Sequence, residues 1–386
     1  MSKLLLKGLV ADNPIGFMAA CGTLSVVVRT EPAATLHWTD TEIGWRPVLE
    51  LPQNLDATGL VTWLHEALYR DARNIEARRI ALHKAEEKAK TVKNDAKKDY
   101  KKAKDALPKA LPKDEREKRL APYEAAVTDT SRIYAEKLAA LRTVAADVAV
   151  EPGQTIKHIG VTPFRAYTLR GYNEASCQDR YLADYMTAYG SEVFGQPGAL
   201  EVEPTTALDK ARGIGKVYLL GSIDKIMCSI TPARLHAALF EEWDYMDKGL
   251  QSRWDPQDIT LEAHEDNERR STVVKSGKRI TVLAGNTMHG VSLLAFCSLP
   301  LFPTAVRGRR LATTATAQTR NTIYMTWPVW CYPVSLDVLR SLLTLDELHN
   351  LVVAHDKLVP RGITAVYRSE HLHLGKYDYL GYGYAV

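Results

Sequence analysis

Two stretches of charged sequence in the first half of the chain carry a repeat of apolar or small residues every seven positions. The repeat positions are Leu68, Ile75, Leu82, Ala89, Ala96 and Ala103 in the first stretch, and Leu120, Val127, Tyr134, Leu141 and Val148 in the second. In a helix this period places the repeated residues in one narrow apolar stripe, as in a coiled coil. Pro108 and Pro112 lie between the two stretches and end the first helix. The spacing therefore predicts an antiparallel helical hairpin over residues 57–150.

The tip of this predicted hairpin is rich in lysine. Lys97, Lys98, Lys101 and Lys102 lie close together in the first helix. A solvated charged face is one interpretation of such a run. Contact with nucleic acid and docking to a partner subunit are two others, and the sequence leaves all three open.

Outside the hairpin, short strand-like and helix-like stretches alternate. Residues 4–10, 36–39 and 47–51 have the composition and length of strands. The tail of the chain returns to strand-like sequence with alternating tyrosines. We therefore predict an α+β fold, in which residues 1–56 and 151–386 form a mixed core that carries the helical hairpin as an insertion.

An apolar helix is predicted over residues 15–28, close to the N-terminus. Asp12 or Asn13 can cap its first turn. Gly16 and Gly22 lie within it, and small residues at such positions let a helix approach a sheet closely. Close packing is one interpretation, and a backbone contact to a ligand at the Gly16 end is the other.

Composition excludes several classes of protein. The chain has 386 residues, of which 46% are apolar and 25% charged, values typical of a globular protein with a large core. Its formal net charge of +4 permits nucleic-acid binding by local patches without requiring it. The five cysteines show no CxxC spacing, which disfavours a zinc site or a disulfide framework. No segment has the length of a signal peptide or membrane helix, so we expect a soluble, cytoplasmic protein with no membrane partner.

Basic and amide side chains recur in predicted turns of the second half. These candidate nucleic-acid contacts are Arg212, Lys216, Lys275, Lys278, Arg279, Arg307, Arg309, Arg310, Gln318, Arg320 and Asn321. Arginine and lysine neutralise phosphates, and neighbouring amides can read base edges. Asn286 and Thr287 can cap the apolar helix that follows them, so that a phosphate could bind at its start. Helix caps and solvated arginines are the alternative interpretation.

Catalytic patterns are weak in this sequence. His371 and His373 alternate on one face of a predicted strand, a geometry that metals use, but no third ligand is evident. Residues 264–266 form a polar cluster in a predicted solvated loop. Cys297 and His289 lie in an apolar helix, which favours a core thiol over a nucleophile. We therefore predict no enzyme activity, no metal and no cofactor, with a metal-dependent nuclease or hydrolase built on the two histidines as the alternative.

Several blocks of the sequence are similar, as a set, to a known family, namely residues 6–24, 254–256, 285–286, 299–303, 307–310, 327–330, 335–343 and 366–369. These blocks resemble the large, PAM-recognising subunits of type I CRISPR interference complexes, most closely those of the type I-G branch (formerly I-U). Together they contain 50 of the 386 residues and lie towards the two ends of the chain. None of them is a catalytic signature, and the hairpin has no counterpart among them.

The resemblance implies a non-catalytic subunit of a prokaryotic, crRNA-guided Cascade complex. Such a subunit binds double-stranded target DNA, recognises the protospacer-adjacent motif (PAM), stabilises the R-loop and docks the helicase-nuclease. Its implied partners are the crRNA, the target DNA, the backbone and handle-binding subunits, and the helicase-nuclease. Guide pairing supplies sequence specificity in RNA-guided systems. The resemblance assigns the PAM-reading role to no individual residue.

Overall fold

A computed structural model shows that the chain folds as two compact units. Unit 1 comprises Met1–Arg70 and Ala149–Val386, and unit 2 comprises Asp71–Val148. The structure describes residues 2–69, 72–108, 111–146, 161, 164–165, 168–169, 180–192, 202–204, 206–210, 219, 223, 226–227, 229–249, 251–257, 270–275, 278–283, 286–307, 310–319, 322–350, 352–374 and 377–386.

Two buried helices pack against each other at the centre of unit 1. Helix α1 (Pro14–Val27) agrees with the predicted helix, and the side chain of Asn13 caps it by accepting a hydrogen bond from the backbone N–H of Ile15 at 3.1 Å. A Cβ atom at Gly22 would lie 1.7 Å from the carbonyl oxygen of Leu294, in the central apolar helix of the second half. The glycine therefore allows the two backbones to touch, which is the close-packing interpretation.

The N-terminal sheet is antiparallel, in the order β1-β3-β2. Its strands are β1 (Ser2–Leu5), β2 (Thr35–Thr39) and β3 (Arg46–Leu51). Strands β2 and β3 agree with the strands predicted over residues 36–39 and 47–51, but the strand predicted over residues 4–10 ends at Leu5. Beyond it the chain turns, with the backbone N–H of Leu9 bonded to the carbonyl of Leu6 at 3.0 Å.

A second antiparallel sheet contains β12 (Thr316–Gln318), β13 (Ile323–Trp330), β14 (Ile363–Leu374), β15 (Tyr377–Leu380) and β16 (Tyr384–Ala385). Its order is β12-β13-β14-β15, with β16 also paired to β14. Indole groups join this sheet to the N-terminal part of unit 1. The N–H of Trp327 donates to the carbonyl of Ala11 at 2.8 Å, and that of Trp330 donates to the carbonyl of Leu36 at 2.7 Å. The ring of Phe17 in α1 stacks on Trp327, with the ring centroids 5.7 Å apart. The buried indole of Trp327 therefore makes both a hydrogen bond to the backbone and an aromatic contact.

Shorter elements complete unit 1. Two-stranded antiparallel pairs are β4 (Gly190–Ser191) with β5 (Glu203–Pro204), β6 (Asp247–Lys248) with β9 (Asn286–Thr287), β7 (Arg270–Lys275) with β8 (Lys278–Leu283), and β10 (Thr304–Arg307) with β11 (Arg310–Thr313). In the described part of unit 1, the α-helices after α1 include α2 (Ala57–Tyr69), α5 (Arg180–Tyr189), α6 (Pro232–Phe240), α7 (His289–Cys297), α8 (Leu336–Leu343), α9 (Asp346–His349) and α10 (His355–Leu358). The mixture confirms the predicted α+β class.

Unit 2 is the predicted antiparallel helical hairpin. Its helices are α3 (Ala72–Ala106) and α4 (Lys113–Ala146). Residues of α3 that are less exposed than their neighbours recur at alternating spacings of three and four, as expected of a heptad seam. They include Ala89, Lys93, Ala96, Tyr100 and Ala103.

The hairpin begins later than the sequence prediction placed it. Leu60, Leu64 and Leu68 of α2 are buried, and this helix packs on α6 within unit 1. Leu68 shares the seven-residue spacing of the hairpin but belongs to the core of unit 1. The compact hairpin unit is therefore Asp71–Val148, instead of residues 57–150. Within the described part of the chain, no helix has the length and apolar character needed to cross a membrane.

Candidate nucleic-acid interface

The lysines predicted near the hairpin tip lie on the exposed side of α3. Lys97, Lys98, Lys101 and Lys102 are all exposed, whereas Tyr100 between them points to the seam. The ammonium of Lys98 lies 3.5 Å from a carboxylate oxygen of Asp95, an ordinary surface pair. The other lysines of the group form no ion pair with any residue that the structure describes. The structure thus brings these predicted residues together as one basic surface, which we call the lysine face.

The spacing of the lysine face makes it a favourable contact for a polyanion. Lys97 and Lys101 are four residues apart, as are Lys98 and Lys102, so each pair stacks like charges on one helix face. Such pairs destabilise a helix by roughly 0.2–0.5 kcal/mol each. Phosphate groups relieve this repulsion and release their counterions, which makes binding favourable and sensitive to salt.

Polar contacts across the seam hold the helix that carries the lysine face. The hydroxyl of Tyr100 donates to a carboxylate oxygen of Glu124 at 3.0 Å, and this hydrogen bond raises the pKa of Tyr100. The ammonium of Lys93 lies 4.2 Å from the ring centroid of Tyr134. Both contacts join α3 to α4.

The other predicted basic turns are the ends of β-hairpins. Arg307 pairs with Arg310 across β10–β11, and Lys275 pairs with Lys278 across β7–β8, with Arg279 next in β8. The backbone brings each pair together at a strand connection, as expected for projecting turns. Arg212, Lys216, Arg309, Arg320 and Asn321 lie outside the residues that the structure describes.

The prediction that Asn286 or Thr287 caps the following helix is wrong. Asn286 and Thr287 form strand β9, and Met288 is the N-cap residue of α7, with no side-chain capping bond. A carboxylate oxygen of Asp247 accepts from the backbone N–H of His289 at 2.8 Å. An acidic side chain, itself paired with Arg234 at 2.9 Å, therefore occupies this helix start, where the sequence allowed for a phosphate.

A polar cleft in unit 1 was not predicted. It has a volume of about 290 Å³, and its lining includes Thr206, Asp209, Lys210, Thr313, Gln318 and Asp378. Gln318 was predicted as a base-reading amide, and it lies exposed at the end of β12. Lys210 and Asp209 are buried, although the sequence around them reads as a surface loop. Their burial depends on distant residues, so no local pattern could have identified them.

The side chains of Arg253 and Trp254 donate hydrogen bonds to the main chain beside the cleft. The indole N–H of Trp254 donates to the carbonyl of Leu208 at 2.6 Å, and the guanidinium of Arg253 donates to the carbonyl of Lys210 at 3.0 Å. Arg253 adopts a left-handed backbone conformation with φ of 62°, which is uncommon for a residue with a side chain. It also lies over the ring of Tyr379 at 5.7 Å. Such strain persists only where surrounding contacts determine it.

The two histidines of β14 have different partners beside this cleft. The ammonium of Lys210 donates to Nδ1 of His371 at 2.6 Å. Burial, and then the charge of Lys210, lower the pKa of His371 well below its usual value. A neutral His371 that accepts at Nδ1 carries its proton on Nε2. Nδ1 of His373 lies 2.8 Å from a carboxylate oxygen of Asp378, and this pair is exposed.

This arrangement does not resemble a metal centre. An ammonium beside His371 repels a metal cation. Among the described residues, no group of three or more His, Cys, Asp or Glu side chains could hold a metal ion. The polar cluster at residues 264–266 lies outside the described part of the chain. Cys297 is buried, and Nε2 of buried His289 donates to the carbonyl of Gly249 at 3.1 Å, so both have the environment of core residues.

Compared with known proteins, the chain matches no protein-family model, no curated protein and no solved structure.

Proposed function

We propose that this chain is a non-catalytic, DNA-binding subunit of a crRNA-guided type I CRISPR effector complex in a prokaryotic cytoplasm. In this role it binds target DNA, recognises the PAM, stabilises the R-loop and docks the helicase-nuclease. Its partners are the crRNA, the backbone and handle-binding subunits, and the helicase-nuclease. The observation that carries the DNA-binding part of this proposal is the lysine face of the hairpin.

Residues of the resembling blocks contact one another in the core of unit 1. Asn13, in the first resembling block, donates from its amide to a carboxylate oxygen of Asp255, in the second, at 3.4 Å. Phe17 of the first block stacks on Trp327 of a later one. Blocks that are far apart in the sequence therefore lie in one core, and the family role remains a proposal.

The lysine face suits a single strand or a duplex backbone better than a defined base sequence. Lysine ammonium groups are flexible point charges that contact phosphates without reading bases. In an RNA-guided complex the guide reads the target, and the protein contributes backbone contacts to the displaced strand. The lysine face would supply such contacts during R-loop formation.

Replacement of Lys97, Lys98, Lys101 and Lys102 by glutamine tests the DNA contact. We expect weaker binding of a fluorescent single-stranded DNA by the full chain, measured by anisotropy at several salt concentrations. The slope of log affinity against log salt is negative, and its magnitude should fall by about 0.7 for each phosphate that the variant no longer neutralises. The matched variant with arginine at all four positions keeps the charge and should keep the slope.

An unchanged affinity and slope in the glutamine variant would contradict the DNA contact. It would favour the third interpretation, in which the hairpin is purely architectural and docks a partner. Circular dichroism of both variants should show unchanged helix content, because all four side chains are exposed.

A further inference from the structure

An apolar groove runs between the two helices on one side of the hairpin. It has a volume of about 320 Å³, and its walls include Ala85, Ala89 and Val92 of α3 and Thr130 and Ile133 of α4. Val92 is 49% exposed and Ile133 is 40% exposed, in helices whose exposed residues are otherwise mostly charged or small. Contiguous apolar surface of this kind marks an interaction site more often than an isolated exposed side chain does.

The groove follows from the small residues in the seam. Ala89 lies at a seam position but has only a methyl group, which leaves space beside the contact between α3 and α4. Along α3 the wall extends from Ala85 to Val92, which is about two helical turns, or roughly 10 Å. This length matches the separation of apolar anchors on one face of an amphipathic helix. A third helix could insert its side chains where those of the hairpin are too short to fill the space.

Lysines on both walls indicate which charge a helix bound in the groove would carry. Lys88 lines the groove from α3 and Lys137 lines it from α4, and both are exposed. Neither forms an ion pair with any residue in the part of the chain that the structure describes. A helix laid into the groove would bring its own side chains close to both ammonium groups, so acidic residues there would be complementary.

A second copy of the hairpin is a poorer occupant. Basic residues outnumber acidic ones in α3, so two hairpins in contact would bring like charges together. We propose that the groove binds an acidic amphipathic helix of a partner protein. Its apolar side chains would contact Val92 and Ile133, and its carboxylates would pair with Lys88 and Lys137. This contact is separate from the lysine face and does not depend on DNA binding.

A synthetic helical peptide of about three heptads tests the proposal. The peptide has leucine at positions a and d, glutamate at positions e and g, and a fluorescein label. We expect it to bind the full chain in an anisotropy titration. The double variants Val92→Ser with Ile133→Ser, and Lys88→Glu with Lys137→Glu, should each weaken binding by about tenfold or more.

A charge swap separates groove binding from general attraction to a basic hairpin. The same peptide with lysine at positions e and g should not bind the wild-type chain but should bind the Lys88→Glu, Lys137→Glu variant. The double variant Lys113→Glu with Lys118→Glu makes the same charge change elsewhere on the hairpin and should leave affinity for the glutamate peptide within about twofold.

Three results would overturn the proposal. The first is no binding of the glutamate peptide to a chain whose helix content is intact. The second is equal binding of the glutamate and lysine peptides. The third is self-association of the wild-type chain in sedimentation that the Val92→Ser, Ile133→Ser variant abolishes, because a second copy would then be the occupant.

Discussion

Single buried polar residues of unit 1 join segments that lie far apart in the sequence. The Asp255 carboxylate accepts hydrogen bonds from the hydroxyl of Tyr245 at 3.0 Å, from the backbone N–H of Gln257 at 3.0 Å and from the side-chain amide of Asn13 at 3.4 Å. Burial raises the pKa of Asp255, and these hydrogen bonds act in the opposite direction. The fold can bury this carboxyl group because three hydrogen bonds replace those that it would make with water.

The Lys210–His371 contact gives a prediction of pH dependence. In the unfolded chain His371 takes up a proton as the pH falls through about 6.5, whereas its depressed pKa keeps it neutral in the folded chain. Its contribution to stability is therefore present above pH 6.5 and is lost as the pH falls below that value. Urea unfolding of the wild type between about pH 7.5 and pH 5 should show a larger decrease in stability than the His371→Gln variant. Equal decreases would contradict this role.

The contact between α1 and α7 at Gly22 gives a second prediction. In Gly22→Ala the added carbon would overlap the carbonyl of Leu294, so the two helices would have to move apart. We expect the free energy of unfolding to fall by about 3 kcal/mol, measured by chemical denaturation. Gly59→Ala is the control, because the atoms nearest to its added carbon would belong to the side chains of Asp56 and Leu55 instead of a backbone. Its effect should stay within about 1 kcal/mol.

At the scale of elements, periodicity predicted the helices better than their partners. The seven-residue repeat gave both helices of the hairpin, and Asn13 indicated the start of α1, because these signals are local. The repeat also assigned Leu68 to the hairpin, although Leu68 packs in unit 1. The buried face of a helix has the same spacing whichever core it packs into. The cap of α7 was missed because Asp247 supplies it from another element. Long-range contacts of this kind have no signature in a local window of sequence.

Pro122 lies inside α4 and gives a prediction for the hairpin as an element. Proline has no N–H to donate to the carbonyl four residues earlier, and its ring disturbs the turn. Pro122→Ala should therefore stabilise α4 by up to about 3 kcal/mol. Slower amide hydrogen exchange in unit 2 would show this. Ala121→Ser, at the exposed neighbouring position, should change stability by no more than about 0.5 kcal/mol, and equal effects of the two variants would contradict the prediction.

At the scale of the whole molecule, the distribution of charge matters more than its sum. The net charge of +4 is small for a chain of 386 residues, yet the lysines of α3 lie together on an exposed helix. The sequence identified this lysine face, because a dense run of one charge on a helix is a local property. It could not identify the cleft at Lys210, which forms where β11, β12 and β15 meet a buried loop.

Binding of PAM-containing duplex DNA by complexes purified with and without this chain is the most direct test of the proposed function. Complexes that lack the chain should retain their crRNA but lose the preference for a duplex with an intact PAM over one with a mutated PAM. Adding the purified chain back should restore that preference. Undiminished PAM-dependent binding in the absence of the chain would contradict its assignment as the PAM-recognising subunit.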